Sequence, residues 1–234
     1  MRQRLRFTKH GKVRFLSHRD VARVWERALR RAGIRVAYSE GFSPRPRLSF
    51  GLALSTGYES LGEYLDIDLT EEIDPEELVA LVNPALPQGM EAQVAIPLAP
   101  GGDSLQQAVT SSSWSIEVDG IDPAAIDEAV RRTLAAATLP ITVERKGSET
   151  ELDARPAILA LEAHGTALTA ELATQPRSLR PAELLRVIDP TWTARSVLRT
   201  NQWTSVDGAR CEPIPFGDLG ARGATSAPHA EARV

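Results

Sequence analysis

A single cysteine, Cys211, and four scattered histidines leave this 234-residue chain with little of the usual chemical equipment. One thiol excludes an intramolecular disulfide, and the C-x3-C-x2-C iron-sulfur pattern and four-ligand structural zinc sites both need more thiolates or imidazoles than are present. Nor does any apolar run approach the roughly 18 residues of a membrane span. At the N-terminus, Met1-Arg2-Gln3-Arg4-Leu5-Arg6-Phe7 alternates charge with apolar residues where a secretion signal would be continuously apolar. A cytoplasmic protein with no membrane partner is expected. The Walker P-loop, H-E-x-x-H, G-x-S-x-G and G-x-G-x-x-G signatures are all missing, so the sequence leans away from an enzyme and calls for no cofactor or metal.

Charge is present, and it is segregated. Residues 1 to 50 hold 14 Lys+Arg against 3 Asp+Glu, whereas residues 51 to 100 hold no Lys or Arg and 10 Asp+Glu. A basic end of this strength suits a polyanionic partner. It equally suits a fold in which the two windows lie on adjacent strands and neutralise each other, and both readings stand at this point.

Hydrophobic periodicity divides the chain. Residues 2 to 8 alternate, with Leu5 and Phe7 on one face and Arg2, Arg4 and Arg6 on the other, and Val13 and Phe15 continue the pattern beyond a turn at His10-Gly11. Ser17 and Asp20 form a capping box that opens a helix whose stripe is Val21, Val24, Trp25, Ala28, Leu29 and Ala32. Arg19, Arg23 and Arg30 fall opposite that stripe, and Gly33 ends it. Strands are predicted at 34 to 39, 48 to 54, 63 to 69 and 90 to 96, with a helix opening at Asp74-Pro75. That order, β-α-β-β-α-β, predicts a ferredoxin-like domain over residues 1–98. A linker over 99–110 follows, then a second α+β domain over 111–203 with one additional strand. Residues 204–234 lack periodicity and predict a disordered tail. The expected class is α+β, two ferredoxin-like halves in tandem with antiparallel sheets.

Three places invite a functional reading. His18, beside Arg14 and Arg19, is the one candidate general acid, although its helical angle also suits a packed histidine. Asp66 and Asp68 suggest a metal pair less than a solvated strand face answering the arginines. The loop Gly41-Phe42-Ser43-Pro44-Arg45-Pro46-Arg47 combines a permissive glycine, two stiffening prolines, two arginines and an aromatic ring. Such a loop presents guanidinium groups to phosphates with Phe42 free to stack on a base, unless Phe42 plugs the core.

The segment Arg14-Phe15-Leu16-Ser17-His18-Arg19-Asp20, the helix end Ala28-Leu29-Arg30-Arg31-Ala32-Gly33, and the run from Tyr38 through Gly41 to Gly51 and on to Glu63-Tyr64-Leu65-Asp66 closely resemble the radical-SAM-linked domain of unknown function. The resemblance is specific over the first 70 residues and looser to residue 203. It implies a chain that occurs fused behind a radical-SAM domain or encoded near one, often beside a ribonuclease E/G gene. Here the radical-SAM half and its cysteine triplet are missing, so that chemistry would come from a partner. The expected function is a non-catalytic RNA-binding accessory protein that acts with a radical-SAM protein in tRNA or rRNA modification, with ribonuclease E/G as a further candidate partner. The candidate RNA contacts are Arg2, Arg4, Arg6, Arg14, Arg19, Arg23, Phe42, Arg45 and Arg47. Two alternatives remain: a metal-independent endoribonuclease using His18, which draws on a distant likeness to CRISPR repeat-processing RAMP enzymes, and a protein-binding scaffold without nucleic acid.

Overall fold

A computed structural model describes residues 1–99, 104–145 and 148–214 of the chain. In its first half, strand β1 (Arg2–Lys9) leads to helix α1 (His18–Arg31), strands β2 (Leu48–Phe50) and β3 (Glu59–Asp68), helix α2 (Pro75–Val82) and strand β4 (Met90–Leu98). One helical turn, α3 (Leu105–Ala108), precedes β5 (Val109–Val118), α4 (Pro123–Ala135), a ribbon of β6 (Pro140–Arg145) and β7 (Ser148–Asp153), β8 (Ile158–His164) and β9 (Ala167–Ala173). Helix α5 (Pro181–Ile188), β10 (Ala194–Val206) and β11 (Ala209–Cys211) complete the described chain.

Local chemistry sets the helix starts. The Ser17 hydroxyl accepts from Asp20 N–H while Asp20 accepts from Ser17 N–H, which is the predicted capping box. Asp74 and Asp122 cap α2 and α4, each followed by proline at the first helical position.

The main strands form a single nine-stranded sheet that runs β4-β1-β3-β10-β5-β9-β8, with β2 also on β3 and β11 also on β10. Every pairing is antiparallel except β3–β10, which joins the halves in parallel over Leu198–Glu59 and Arg199–Ser60. The fold is therefore α+β with a large, mostly antiparallel sheet. Two apolar cores lie against it. One gathers Leu5, Phe7, Leu65 and Ile67 under α1 and α2 around Trp25, and the other gathers Trp114, Ile116, Leu168 and Val197 under α4 and α5. No helix among the described residues is long and apolar enough to cross a membrane.

Several expectations need correction. Gly11–Phe15 is a 3-10 turn, not a strand continuation, and its first N–H is taken by the Glu59 carboxylate at 2.7 Å. The strand expected at 34–39 reduces to two isolated bridges, Val36 to Leu69 and Tyr38 to Pro46, because Pro44 and Pro46 lack the N–H groups a ladder needs. The strand at 48–54 stops at Phe50, after which the chain leaves the ladder to cross the seam between the halves. Within the expected linker, residues 105–108 are helical and Val109 already begins β5, while 100–103 lie outside the described residues. The expected tail is structured to residue 214: Asp207 and Gly208, with φ of 52° and 79°, make the two-residue turn into β11. The remainder, 215–234, lies outside the described residues.

β1 is also buried on both faces, although its alternation predicted one wet face. Pro213 and Ile214 fold back over the side that carries Arg4, where Ile214 packs with Tyr64 and Leu105. Gly89 closes the other end of β1. Its N-terminal neighbour across the ladder, His10, donates to the Gly89 carbonyl at 2.8 Å, and a Cβ on Gly89 would stand 2.2 Å from the His10 oxygen at a φ of 93°. Gly89→Ala is expected to cost about 2 kcal/mol or more, because a strained φ and a backbone clash coincide. The check is a lower urea midpoint at unchanged slope.

Candidate nucleic-acid interface

Helix α1 buries Val21, Val24, Trp25, Ala28 and Leu29. The same 3.6-residue period then forces Arg19, Arg23, Arg27, Arg30 and Arg31 into one outward arc of about 120°. All five are exposed. Arg23 leans on Asp20 at 3.7 Å, and the other four make no salt bridge among the described residues. Of these arginines, only Arg19 and Arg23 belong to the candidate set drawn from the sequence. Extending the helical wheel one turn adds Arg27, Arg30 and Arg31.

Beyond Gly33 the chain builds a short two-legged projection. Ser39 N–H donates to Arg45 O at 2.9 Å, Arg45 N–H to Ser39 Oγ at 3.1 Å and Arg47 N–H to Ala37 O at 2.8 Å. Gly41 sits at the tip with φ of 121°, a backbone region closed to most side chains. The projection leaves Phe42 fully in solvent and Tyr38 56% exposed, so Phe42 does not plug the core. Arg45 is exposed and without a salt bridge, while Arg47 reaches Asp68 at 3.1 Å. Between the projection and the last turn of α1 lies a groove of about 370 Å³ lined by Arg30, Arg35, Tyr38 and Pro46. Phe15, also exposed, stands under the Arg14 guanidinium at 4.6 Å.

The strand arginines go elsewhere. Arg4 is buried and donates to both oxygens of Asp66, at 2.7 and 3.0 Å, and to Pro213 O at 3.3 Å. Arg2 holds Asp68 at 2.6 Å, a bond that raises the guanidinium pKa against the opposing effect of burial. Arg6 is buried, with its Nη2 close to Gly62 of β3. Arg14 pairs with Glu59 at 3.5 Å. Arg2, Arg4 and Arg6 thus cannot offer a phosphate a free fork. Asp66 and Asp68 answer the arginines as the alternation suggested, but Asp66 is buried instead of solvated, and no cluster of three or more metal-ligating side chains occurs among the described residues.

His18 opens α1 with its ring edge-on to Phe50 at 5.3 Å. The residue is exposed on its outer side, and on its inner side it borders a void of about 10 Å³, enough for one water, shared with Lys9, Glu63 and Phe7. Beneath lies a buried charge cluster that the sequence reading missed. Arg199, 1% exposed, donates to Glu63 at 2.6 to 3.0 Å and to Leu52 O at 2.8 Å, and its guanidinium lies 5.3 Å from the Trp114 ring. Lys9 donates to Arg14 O at 3.0 Å. Burial pulls the Lys9 ammonium below its ordinary pKa, Glu63 opposing and Arg199 reinforcing. The signal was in the alternation: Lys9 follows Leu5 and Phe7 on the core face, and Glu63 precedes Leu65 and Ile67.

A family described as an uncharacterized protein conserved in bacteria, DUF2344, matches residues 2–181. No curated protein matches the chain.

Glu63→Gln leaves two buried cations without their carboxylate and is expected to cost about 3–5 kcal/mol in urea unfolding. Lys9→Met tests the opposite sign. A lysine with a lowered folded-state pKa costs stability while protonated, and the cost is relieved as pH rises from the folded value toward the ordinary 10.5. Lys9→Met is therefore expected to match or exceed the parent at neutral pH, with its advantage shrinking through that alkaline window.

Proposed function

The chain belongs to the DUF2344 family of uncharacterized bacterial proteins, and we propose that it is a non-catalytic RNA-binding accessory protein. Its contact surface in this reading is the outer face of α1 together with the projection from Tyr38 to Arg47. One observation carries it: two exposed rings, Tyr38 and Phe42, stand on the same surface as Arg30 and Arg45, which form no salt bridge among the described residues, whereas Arg35 and Arg47 there are paired with Glu71 and Asp68. Guanidinium groups track phosphates and exposed rings stack on unpaired bases, and both are needed for single-stranded or looped RNA. The expected set narrows accordingly to Arg19, Arg23, Phe42, Arg45 and Arg47, enlarged by Arg27, Arg30, Arg31 and Tyr38.

Support for the finer fold reading comes from the strand orders. β4-β1-β3-β2 and β10-β5-β9-β8 follow the same plan, with helices in corresponding crossovers and the β6–β7 ribbon as an insertion. We read them as two ferredoxin-like halves, a plan that hosts many unrelated functions. Partnership with a radical-SAM protein rests on the resemblance of the first 70 residues, and a role in tRNA or rRNA modification in the cytoplasm is the reading that joins that partnership to the basic surface. The cleavage alternative gains less support, since the exposed His18 ring stands edge-on to Phe50 and has no hydrogen-bond partner among the described residues to orient it as an acid.

Salt-dependent binding tests this. Fluorescence anisotropy with total tRNA is expected to show affinity that falls steeply as salt rises, with Arg30→Ala and Arg45→Ala each reducing the log–log slope by about 1. Phe42→Ala is expected to lose about 1–3 kcal/mol with the slope unchanged. Arg131→Ala, on the exposed side of α4 and paired with Glu128, serves as the neutral control. Absence of binding at low salt, or binding indifferent to salt, removes phosphate contact as the account. Recovery of a radical-SAM protein on the tagged chain after nuclease treatment separates direct partnership from RNA bridging.

A further inference from the structure

The second half of the chain contains a cationic groove, separate from the RNA-facing surface, of about 530 Å³. It lies between the β6–β7 ribbon and α5, and Arg177, Arg180 and Arg186 line it with one carboxylate, Glu183. That carboxylate is already committed. One oxygen takes the Arg177 guanidinium and the other accepts from the Arg180 backbone N–H at 3.0 Å. The side chains of Arg180 and Arg186 are exposed and form no salt bridge among the described residues.

Two guanidinium groups on one concave wall repel each other at a cost that an anion between them removes, and the planar fork suits phosphate oxygens. The facing wall differs in character. Val143, Leu152 and Pro176 supply apolar surface, and Leu152 is left 37% exposed. Thr150, opposite Val143 in the ribbon, adds a hydroxyl donor. A bare phosphate or diphosphate would fill only a fraction of such a volume, which falls within the range of small-molecule sites.

We propose that this groove binds a nucleotide, with its phosphates on Arg180 and Arg186 and its base against the Val143–Leu152–Pro176 strip. The site is independent of the RNA surface, and loss of that reading leaves it standing.

Calorimetric titration of the full chain with ADP and with inorganic pyrophosphate tests it. ADP is expected to bind with a Kd of about 1 mM or lower and about fivefold more tightly than pyrophosphate, because only ADP covers the apolar wall. Arg186→Ala is expected to weaken ADP about tenfold or more, since a charged hydrogen-bond donor is lost. Arg45→Ala, on the other surface, leaves ADP binding unchanged. Thermal melts confirm that the variants fold, and Arg180→Ala supplies a second reading of the same wall. The proposal is overturned by absence of ADP binding at millimolar concentration, by equal affinity for ADP and pyrophosphate, by folded Arg186 and Arg180 variants that bind like the parent, or by loss of binding in Arg45→Ala.

Discussion

The Arg199–Glu63 pair sits where the two halves become one sheet, and the rest of the arrangement depends on it. The parallel ladder between β3 and β10 spans only two residue pairs, too few to fix a register by backbone bonds alone. A guanidinium from β10 that must find the single carboxylate on the core face of β3 penalises every other placement, since a slip strands both charges in an apolar interior. Gln202, fully buried, adds a side-chain bond to Gly62 O at 2.7 Å. Arg199 also holds Leu52 O, and so positions the crossing segment after β2, which delivers Leu54 to the second core and sets Tyr58 edge-on to Trp114 at 6.1 Å. One side chain therefore fixes strand register, loop path and the union of two cores. A buried pair of this kind adds little net stability over an apolar substitute of the same volume. Its effect is on which structure forms.

The charge windows acquire a physical meaning from the same geometry. β1 carries arginines from the basic window and β3 aspartates from the acidic one, and the antiparallel register sets Arg2 against Asp68 and Arg4 against Asp66. The first fifty residues are basic partly because they supply one side of an internal ion ladder. What remains after that neutralisation is the charge on α1 and on the projection, where Arg47 shares Asp68 with Arg2 and Arg23 leans on Asp20, while Arg19, Arg27, Arg30, Arg31 and Arg45 form no salt bridge among the described residues.

Much of this was legible in sequence, and the failures have identifiable causes. The α1 stripe and its Ser17–Asp20 box gave helix and start together, because periodicity and capping are local. The β1 alternation was read correctly as strand, yet period 2 cannot distinguish a face in water from one closed by residues more than 200 positions away, as Pro213 and Ile214 close this one. The strand expected at 34 to 39 has the β-branched and aromatic content of a strand, but its proline-rich return leg leaves the pairing only two bridges. Tyr38 escaped the candidate set for a different reason, since a groove between a helix end and a loop is a tertiary object, whereas Arg30 was already legible on the outward face of α1. Lys9 and Glu63 were discoverable, since polar residues in phase with a core face are anomalies that alternation exposes.

Counter-ion accounting, more than counting basic residues, separates arginines that hold the fold from those free to meet a ligand. Arg4 and Arg199 are buried with carboxylates on the neighbouring strand, and their removal would be felt as instability. Arg177 is half committed, its carboxylate shared with a helix start. Arg30, Arg45, Arg180 and Arg186 are exposed and form no salt bridge among the described residues, in two places where exposed rings or apolar walls lie close by. An exposed arginine loses little by staying hydrated, so its position alone signifies nothing. Paired with an unburied aromatic or a concave apolar wall, it signifies more, because each such surface carries a hydration cost that a ligand with both charge and a flat apolar part relieves at once.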